Sequence, residues 1–199
     1  MIVSSRLLSY IFILASIAIA HPVAAVTVID FFDDFEAENL ELNYVDFDNW
    51  IVSGGTVDTV GPTFGTPLID CQGSSVCVDV DGSTGDAANA LATKDDFAPG
   101  AYRLSFDISG SQRPDTNTIN VSFGNLDEDF TLAGSAPWVT VVRNVNLASN
   151  DQLVFGMTGG DNSGILLDNV TVSAVPLPGV VWLFAPVVLG LMSLRRRLD

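Results

Sequence analysis

Histidine is nearly absent from this chain: 199 residues contain one, His21, and it lies beside an N-terminal apolar leader. Everything downstream therefore lacks an imidazole to act as general base or metal ligand. Ser-His-Asp and Cys-His nucleophile arrangements are excluded there, as are imidazole metal sites. Basic residues are scarce as well. Residues 26–173 carry four, Lys94, Arg103, Arg113 and Arg143, against 23 of the chain's 24 acidic residues, a net charge of −19. Such a surface excludes nucleic acid as a partner and argues against docking on anionic lipid headgroups. Phosphate-cradling glycine loops of the G-x-x-x-x-G-K-[ST] or G-x-G-x-x-G type are missing in any strand-to-helix context. No internal repeat is visible, which argues against a propeller or solenoid.

What is present starts at the two ends. Met1 to Arg6 forms a short positive segment, and Leu7 to Ala20 an unbroken apolar run. Small residues then offer two cleavage sites, Ala18-Ile19-Ala20 and Val23-Ala24-Ala25, which is the pattern of a secretory signal peptide. Cleavage after Ala25 fits best, because strand-like sequence begins at Val26-Thr27; an uncleaved N-terminal anchor is the alternative. The other end reads Val175-Pro176-Leu177-Pro178-Gly179, an apolar stretch Val180–Leu194, then Arg195-Arg196-Arg197-Leu198-Asp199. Pro176 and Pro178 cannot continue a strand ladder, so they end the domain in an extended stalk. The apolar stretch makes about 22 Å of helix against a hydrocarbon core of about 30 Å, and becomes a minimal span with the Val175–Gly179 approach. Arg195, Arg196 and Arg197 then face the cytoplasm and the domain the exterior. The expected organisation is a signal peptide at 1–25, an ectodomain at 26–173, a stalk at 174–179, a transmembrane helix at 180–194 and a basic tail at 195–199.

This C-terminal segment resembles the PEP-CTERM sorting signal of Gram-negative bacteria, in its VPLP-type variant. Val175-Pro176-Leu177-Pro178, Trp182-Leu183 and Arg195-Arg196-Arg197 carry the likeness in order and spacing. Leu177 stands where the family usually has Glu, Gly179 where the variant often has Ala, and Pro186 interrupts the helix. The resemblance implies recognition by an exosortase, a membrane-embedded cysteine protease or transpeptidase, and association with exopolysaccharide and biofilm matrix. A plain single-pass anchor is the alternative.

Two cysteines occur, Cys71 and Cys77. Outside the cytoplasm a near pair of this kind is most simply a disulfide, here pinning Gln72-Gly73-Ser74-Ser75 between two extended segments. Along the domain the apolar pattern has period two. Tyr102, Leu104, Phe106 and Ile108 alternate with Arg103, Ser105 and Asp107; Ile119, Val121, Phe123 and Leu153, Phe155, Met157 repeat the pattern. Further strands are expected at Val26–Phe31, Trp50–Ser53, Thr56–Val60, Val76–Val80, Asp129–Leu132, Val139–Val145 and Ile165–Val172, separated by Gly-, Asp- and Pro-rich turns. Roughly ten short strands predict an all-β fold, an antiparallel β-sandwich of jelly-roll type, flanked by an N-terminal signal helix and a C-terminal transmembrane helix.

A second resemblance runs through the domain. Gly164-Ile165-Leu166-Leu167-Asp168-Asn169-Val170-Thr171-Val172 resembles the last strand of carbohydrate-binding-module and galactose-binding-like jelly rolls. Pro99 to Asp107 and Phe35-Glu36 ahead of Asn49-Trp50 add to it. In those folds an early acidic residue and the last-strand Asp often share a structural Ca²⁺, which the resemblance places at Glu36 and Asp168. Strict alternation puts Asp168 on one face with Leu166, Val170 and Val172, where a hard cation would relieve a buried carboxylate. A sheet-edge Asp168 bonded to backbone N–H groups is the alternative. Asp79, Asp81 and Asp86 form either a second oxygen cluster or an Asx-rich turn.

Sugar sites need exposed rings to stack on pyranose faces. Phe64, in the loop Gly61-Pro62-Thr63-Phe64-Gly65, and Trp138, after Ala136-Pro137, are the candidates, whereas Trp50 beside Ile51 and Val52 reads as core. Carboxylates abound, but no pair is singled out for glycoside hydrolysis. The expectation is a non-enzymatic, exported surface protein that associates with extracellular polysaccharide. It is held by its C-terminal helix before processing and released to the cell surface or exterior afterwards. The alternative is a structural envelope protein with a plain anchor and no glycan recognition.

Overall fold

The computed structural model describes residues 28–64, 68–84, 89–158 and 162–175. The signal segment, the stalk from Pro176 onward, the C-terminal apolar stretch, the Arg195–Arg197 cluster and Asp86 lie outside the described residues. No helix among the described residues is long and apolar enough to cross a membrane.

Among the described residues, twelve strands form two antiparallel sheets. In chain order they are β1 (Val28–Asp33), β2 (Glu41–Tyr44), β3 (Trp50–Ser53), β4 (Val57–Val60), β5 (Cys77–Asp79), β6 (Asn89–Thr93), β7 (Gly100–Ser109), β8 (Thr116–Phe123), β9 (Leu126–Ala133), β10 (Val139–Leu147), β11 (Val154–Met157) and β12 (Leu166–Ala174). Sheet A runs β10-β7-β12-β5-β4-β2 with β1 also on β12; sheet B runs β3-β6-β11-β8-β9. Most connections cross from one sheet to the other, and this interleaving locks the two layers into one body. The all-β sandwich expectation holds.

Period-two alternation places the core where the sequence put it. Tyr102, Leu104, Phe106 and Ile108 of β7, Ile119, Val121 and Phe123 of β8, and Phe155 and Met157 of β11 all point between the sheets. Trp50 is fully buried there, its ring against Phe31, Phe35 and Phe155. A buried indole needs an acceptor, and Asp33 Oδ2 supplies it at 2.8 Å. At one side of the sandwich the edge strands β9 and β10 are tied across the layers. Arg143 donates to both carboxylate oxygens of Glu128 at 2.6 and 2.7 Å and lies over the Phe130 ring.

Two strands were missed in the sequence. β6 reads Asn-Ala-Leu-Ala-Thr, and its alanines carry no strand preference of their own; pairing with β3 and β11 on both sides makes it a strand. β2 is a four-residue edge strand rich in polar groups, held through Thr59 Oγ1 and Asp58 of β4 accepting from Glu41 N and Asn43 N.

One expectation is corrected. Asp168 does not share a face with Val170 and Val172. The β12–β7 register shifts between Asp168 and Thr171, with Asn169 at φ 53°. This extra residue reverses the alternation. Leu167, Val170 and Val172 enter the main core, while Leu166 and Asp168 point to the outer face of sheet A. The face is covered locally. Leu166 packs with Val60, Ile69 and the Cys71–Cys77 disulfide in a small second cluster flanked by Trp138.

Candidate functional site

Outer-face packing on sheet A leads directly to a cleft at this end of the sandwich. It has a volume of about 550 Å³, within the range of small-ligand sites. Asp70, Ser109, Gln112, Arg113, Pro114 and the segment Gly134–Trp138 line it. Trp138 is half-buried, with one part of its ring on the second cluster and the other open to the cleft.

Two loops and the disulfide segment build this shape. The turn after β7 and the β9–β10 connection are zipped by backbone bonds: Gly110 N to Ala136 O at 3.1 Å, Gln112 N to Gly134 O at 2.8 Å, and Gly134 N to Asp115 O at 2.8 Å. Their closeness depends on glycine, because a Cβ on Gly134 would run into the Arg113 carbonyl and one on Gly110 into that of Ala133. Gln112 sits at φ 61°, which turns its amide onto the third segment. There it accepts from Asp70 N at 2.9 Å and donates to Asp70 O at 2.7 Å. The Trp138 indole N–H donates to the same Asp70 carbonyl at 2.9 Å. Asp70 precedes Cys71, so the disulfide loop fixes the backbone that orients the ring.

Beneath the cleft lies a buried ionic cluster. Arg113 Nη1 donates to Asp79 Oδ2 at 3.0 Å, to Ser163 Oγ at 3.1 Å and to the Asn162 carbonyl at 3.3 Å. Asp79 is fully buried, and Gly164 N and Asp81 N also donate to it, at 2.7 and 3.1 Å. Burial pushes its carboxyl up to about 7, although Arg113 and the Asp81 N–H pull the other way. Asp115 accepts from Ser111 Oγ at 2.5 Å and from the Ser163 hydroxyl. Of the second oxygen cluster expected from the sequence, Asp79 is thus committed to Arg113, and Asp81 Oδ1 accepts from Asn89 Nδ2 at 2.7 Å. Backbone N–H groups on Asp79 suit the Asx-turn reading more than an open cation site.

Glu36 and Asp168 are brought together beside the disulfide loop. Glu36 Oε1 accepts from Ser75 N at 2.6 Å and Val76 N at 3.2 Å. Asp168 is buried, and its Oδ1 accepts from Asn169 N at 2.7 Å. Burial pushes its carboxyl up to about 6; the Ser74 hydroxyl and the Asn169 N–H oppose this, while the Asp107 and Glu36 charges add to it. No group of three or more His, Cys, Asp or Glu side chains converges enough to hold a metal among the described residues. The pair offers two carboxylates and a hydroxyl, all hard oxygen donors.

Phe64 closes the turn from Gly61, with Phe64 N donating to Gly61 O at 3.1 Å, and is half-buried. It does not line the Trp138 cleft, so the two rings do not form one platform. Gln112, Arg113 and Asp70 were missed in the sequence. They lie 26 to 68 residues from Trp138, and no local spacing marks them.

The cleft also has a fixed place relative to the chain ends. Ser109 and Leu166 pair at the cleft end of sheet A, and Tyr102 and Ala174 at the other. Val28 pairs with Ala174, so the described chain starts and finishes at that far end. The length of β7 separates the two ends by about 30 Å.

No family model matches the chain, and no curated protein matches it. Among solved structures it is similar to the K3 cleaved adhesin domain of Lys-gingipain from Porphyromonas gingivalis w83. The identity is 18% and the TM-score 0.50, over 75% of this chain and 100% of that one. It is also similar to the CBM22-1 xylan-binding domain from Paenibacillus barcinonensis Xyn10C (15% identity, TM-score 0.48, 78% of this chain and 99% of that one). A third is TmCBM61 in complex with β-1,4-galactotriose (15%, TM-score 0.42, 69% and 97%). At 18% identity the likeness to the first of these is one of fold alone.

Proposed function

We propose that this chain is a non-enzymatic, exported surface protein that binds extracellular polysaccharide through the Trp138 cleft. The observation that carries the reading is the cleft itself: a half-exposed indole, held by its N–H on Asp70 O, beside an amide, a guanidinium and a carboxylate. An aromatic face with a few fixed polar groups is what a sugar ring requires. Catalysis finds no support there. Asp70 is the one carboxylate among the lining residues, and the nearby Asp79 is buried against Arg113.

Delivery follows the sequence reading. The signal peptide exports the chain, the Pro176–Pro178 stalk presents it to an exosortase, and the apolar segment with Arg195–Arg197 holds it in the membrane until processing. Because the chain leaves the sandwich at the end opposite the cleft, the cleft faces away from the membrane in that arrangement. Ca²⁺ is proposed as a structural ion at Glu36 and Asp168, with the Ser74 hydroxyl beside them. A cation there would hold the bulge of β12 against the disulfide loop and stabilise the ionised form of Asp168.

The test is retention of the exported protein on the producing cell's own exopolysaccharide, with and without EDTA. Retention that Trp138→Ala removes supports the reading. No retention under any condition refutes it and leaves a structural envelope protein. Intact-mass measurement checks processing: a start at Val26 and an end near Pro178 are expected, and a mature chain still carrying Arg197 would leave a plain anchor.

A further inference from the structure

We infer that the Trp138 cleft takes an uncharged, hydroxyl-rich glycan and rejects uronate-rich or sulfated chains. The inference rests on the glycan-binding reading and narrows its ligand class.

Consider first which groups remain for a ligand. The Gln112 amide uses one N–H and one lone pair on the Asp70 backbone, which leaves one of each. Ser109 Oγ donates within 3.1 Å of both the Gly110 and Ala136 carbonyls, so its proton is committed. All three hydrogen bonds of the Arg113 side chain leave from Nη1, so among the described residues Nε and Nη2 remain for a ligand. Asp70 Oδ1 accepts from Gln72 N at 3.0 Å, which leaves its other oxygen. The ligand thus meets an apolar wall of Trp138, Pro137 and Pro114 set among the donors and acceptors of Arg113, Gln112, Ser135 and Asp70. Hydroxyls donate and accept at once and match that pairing.

Charge then decides between sugar classes. Arg113 is the single cation of the cleft, and Asp79 neutralises it from below at 3.0 Å. Asp70 on the wall and Asp115 behind Ser163 leave the neighbourhood negative, and it stays so even with Asp79 protonated. Among the described residues no second cation is within reach. Lys94 is bound to the Phe47 carbonyl and lines a different cleft, Arg143 is paired with Glu128, and Arg103 sits near the far end of β7. A polyanion therefore meets like charge locally and the −19 field of the domain beyond.

Affinity gel electrophoresis of the exported full chain in neutral detergent tests this. The gels contain the producing cell's exopolysaccharide, split by anion exchange into uncharged and acidic fractions, with xylan and alginate as defined polymers. Retardation is expected in the uncharged fraction, insensitive to salt, with affinity reduced about tenfold by Trp138→Ala. Free mobility is expected in the acidic fraction and in alginate. Trp138→Phe, which keeps a ring, should retain most of the binding and guards against a misfolded alanine variant. Asp70→Lys, which leaves the structural backbone contacts of that residue in place, should gain retardation in alginate.

Stronger Trp138-dependent retardation in the acidic fraction overturns the uncharged class while leaving glycan binding standing. So does an Asp70→Lys variant indifferent to alginate. Binding untouched by both Trp138 substitutions removes the cleft as the site, and no retardation in any gel brings down the glycan-binding reading with it.

Discussion

Opening the Cys71–Cys77 bridge should damage the ligand cleft as well as the fold. The bridge closes a loop with a sequence separation of 6. For so short a loop the chain-entropy relation gives about 2 kcal/mol of stability. Both cysteines are buried in the second cluster with Val60, Ile69 and Leu166, so Cys71→Ala/Cys77→Ala also loses contacts there. With a urea slope of about 1–3 kcal/mol/M, the unfolding midpoint should fall by about 1 M. The structural consequence is more specific. Asp70 presents the carbonyl that takes the Trp138 indole N–H at 2.9 Å and the Gln112 amide at 2.7 Å. Freed from the bridge, that backbone no longer holds the ring. In a mature chain that ends near Pro178 and so lacks Trp182, the buried Trp50 contributes a constant emission, and a red shift with greater acrylamide quenching in the folded variant reports on Trp138. Glycan retention should fall in parallel. An unchanged midpoint would refute the stability estimate. Loss of stability with unaltered tryptophan emission and retention would refute the coupling of the bridge to the cleft.

Asp79 predicts a pH dependence. Its folded carboxyl is raised to about 7, so the folded state binds this proton more tightly than the unfolded chain does. The stability this confers is complete below the unfolded carboxylate range and is lost as pH rises through about 7. Asp79→Asn should reduce the fall in stability between about pH 5 and pH 8, leaving the part that Asp168, raised to about 6, contributes; an unchanged pH dependence of urea unfolding would contradict it. Asp33→Ala strands the Trp50 indole N–H in the core along with Phe35 N, and should cost about 1–3 kcal/mol in the same assay; a change within experimental scatter would mean the indole finds another acceptor. Gly134→Ala pushes a Cβ into the Arg113 carbonyl and should weaken glycan retention more than it lowers thermal stability; retention at the wild-type level would show that the loop pair yields freely. Added Ca²⁺ should raise the melting temperature of the wild type, and Glu36→Gln with Asp168→Asn should abolish the rise; a rise that survives both substitutions places the ion elsewhere.

Much of this architecture is legible in the chain because two-fold alternation is a local signal. β7, β8 and β11 could be read from Tyr102–Ile108, Ile119–Phe123 and Phe155–Met157, since each strand buries one face and solvates the other. The cysteine pair and the burial of Trp50 were equally local readings. β6 was not legible, because its strand character comes from neighbours on both sides.

Asp168 shows where local reading stops. Residue spacing alone put it on the core face, but a single bulge at Asn169 sends it outward, toward Glu36, Ser74 and Asp107. Whether an extra residue is absorbed at that point depends on the β12–β7 ladder. The cleft is similar. Trp138 could be singled out as a ring after Ala136-Pro137, but its partners come from residues far away in sequence, joined by backbone bonds between loops.

By itself, then, the sequence determined that the domain has no histidine chemistry, that its surface is strongly acidic, and that its strands bury a two-sided core. These follow from composition and from the pleat of each strand. Tertiary structure alone decided which carboxylates meet a guanidinium, which ring faces a cleft and which end of the sandwich carries it. Those are pairings between distant segments, and only the closed sheets set their distances.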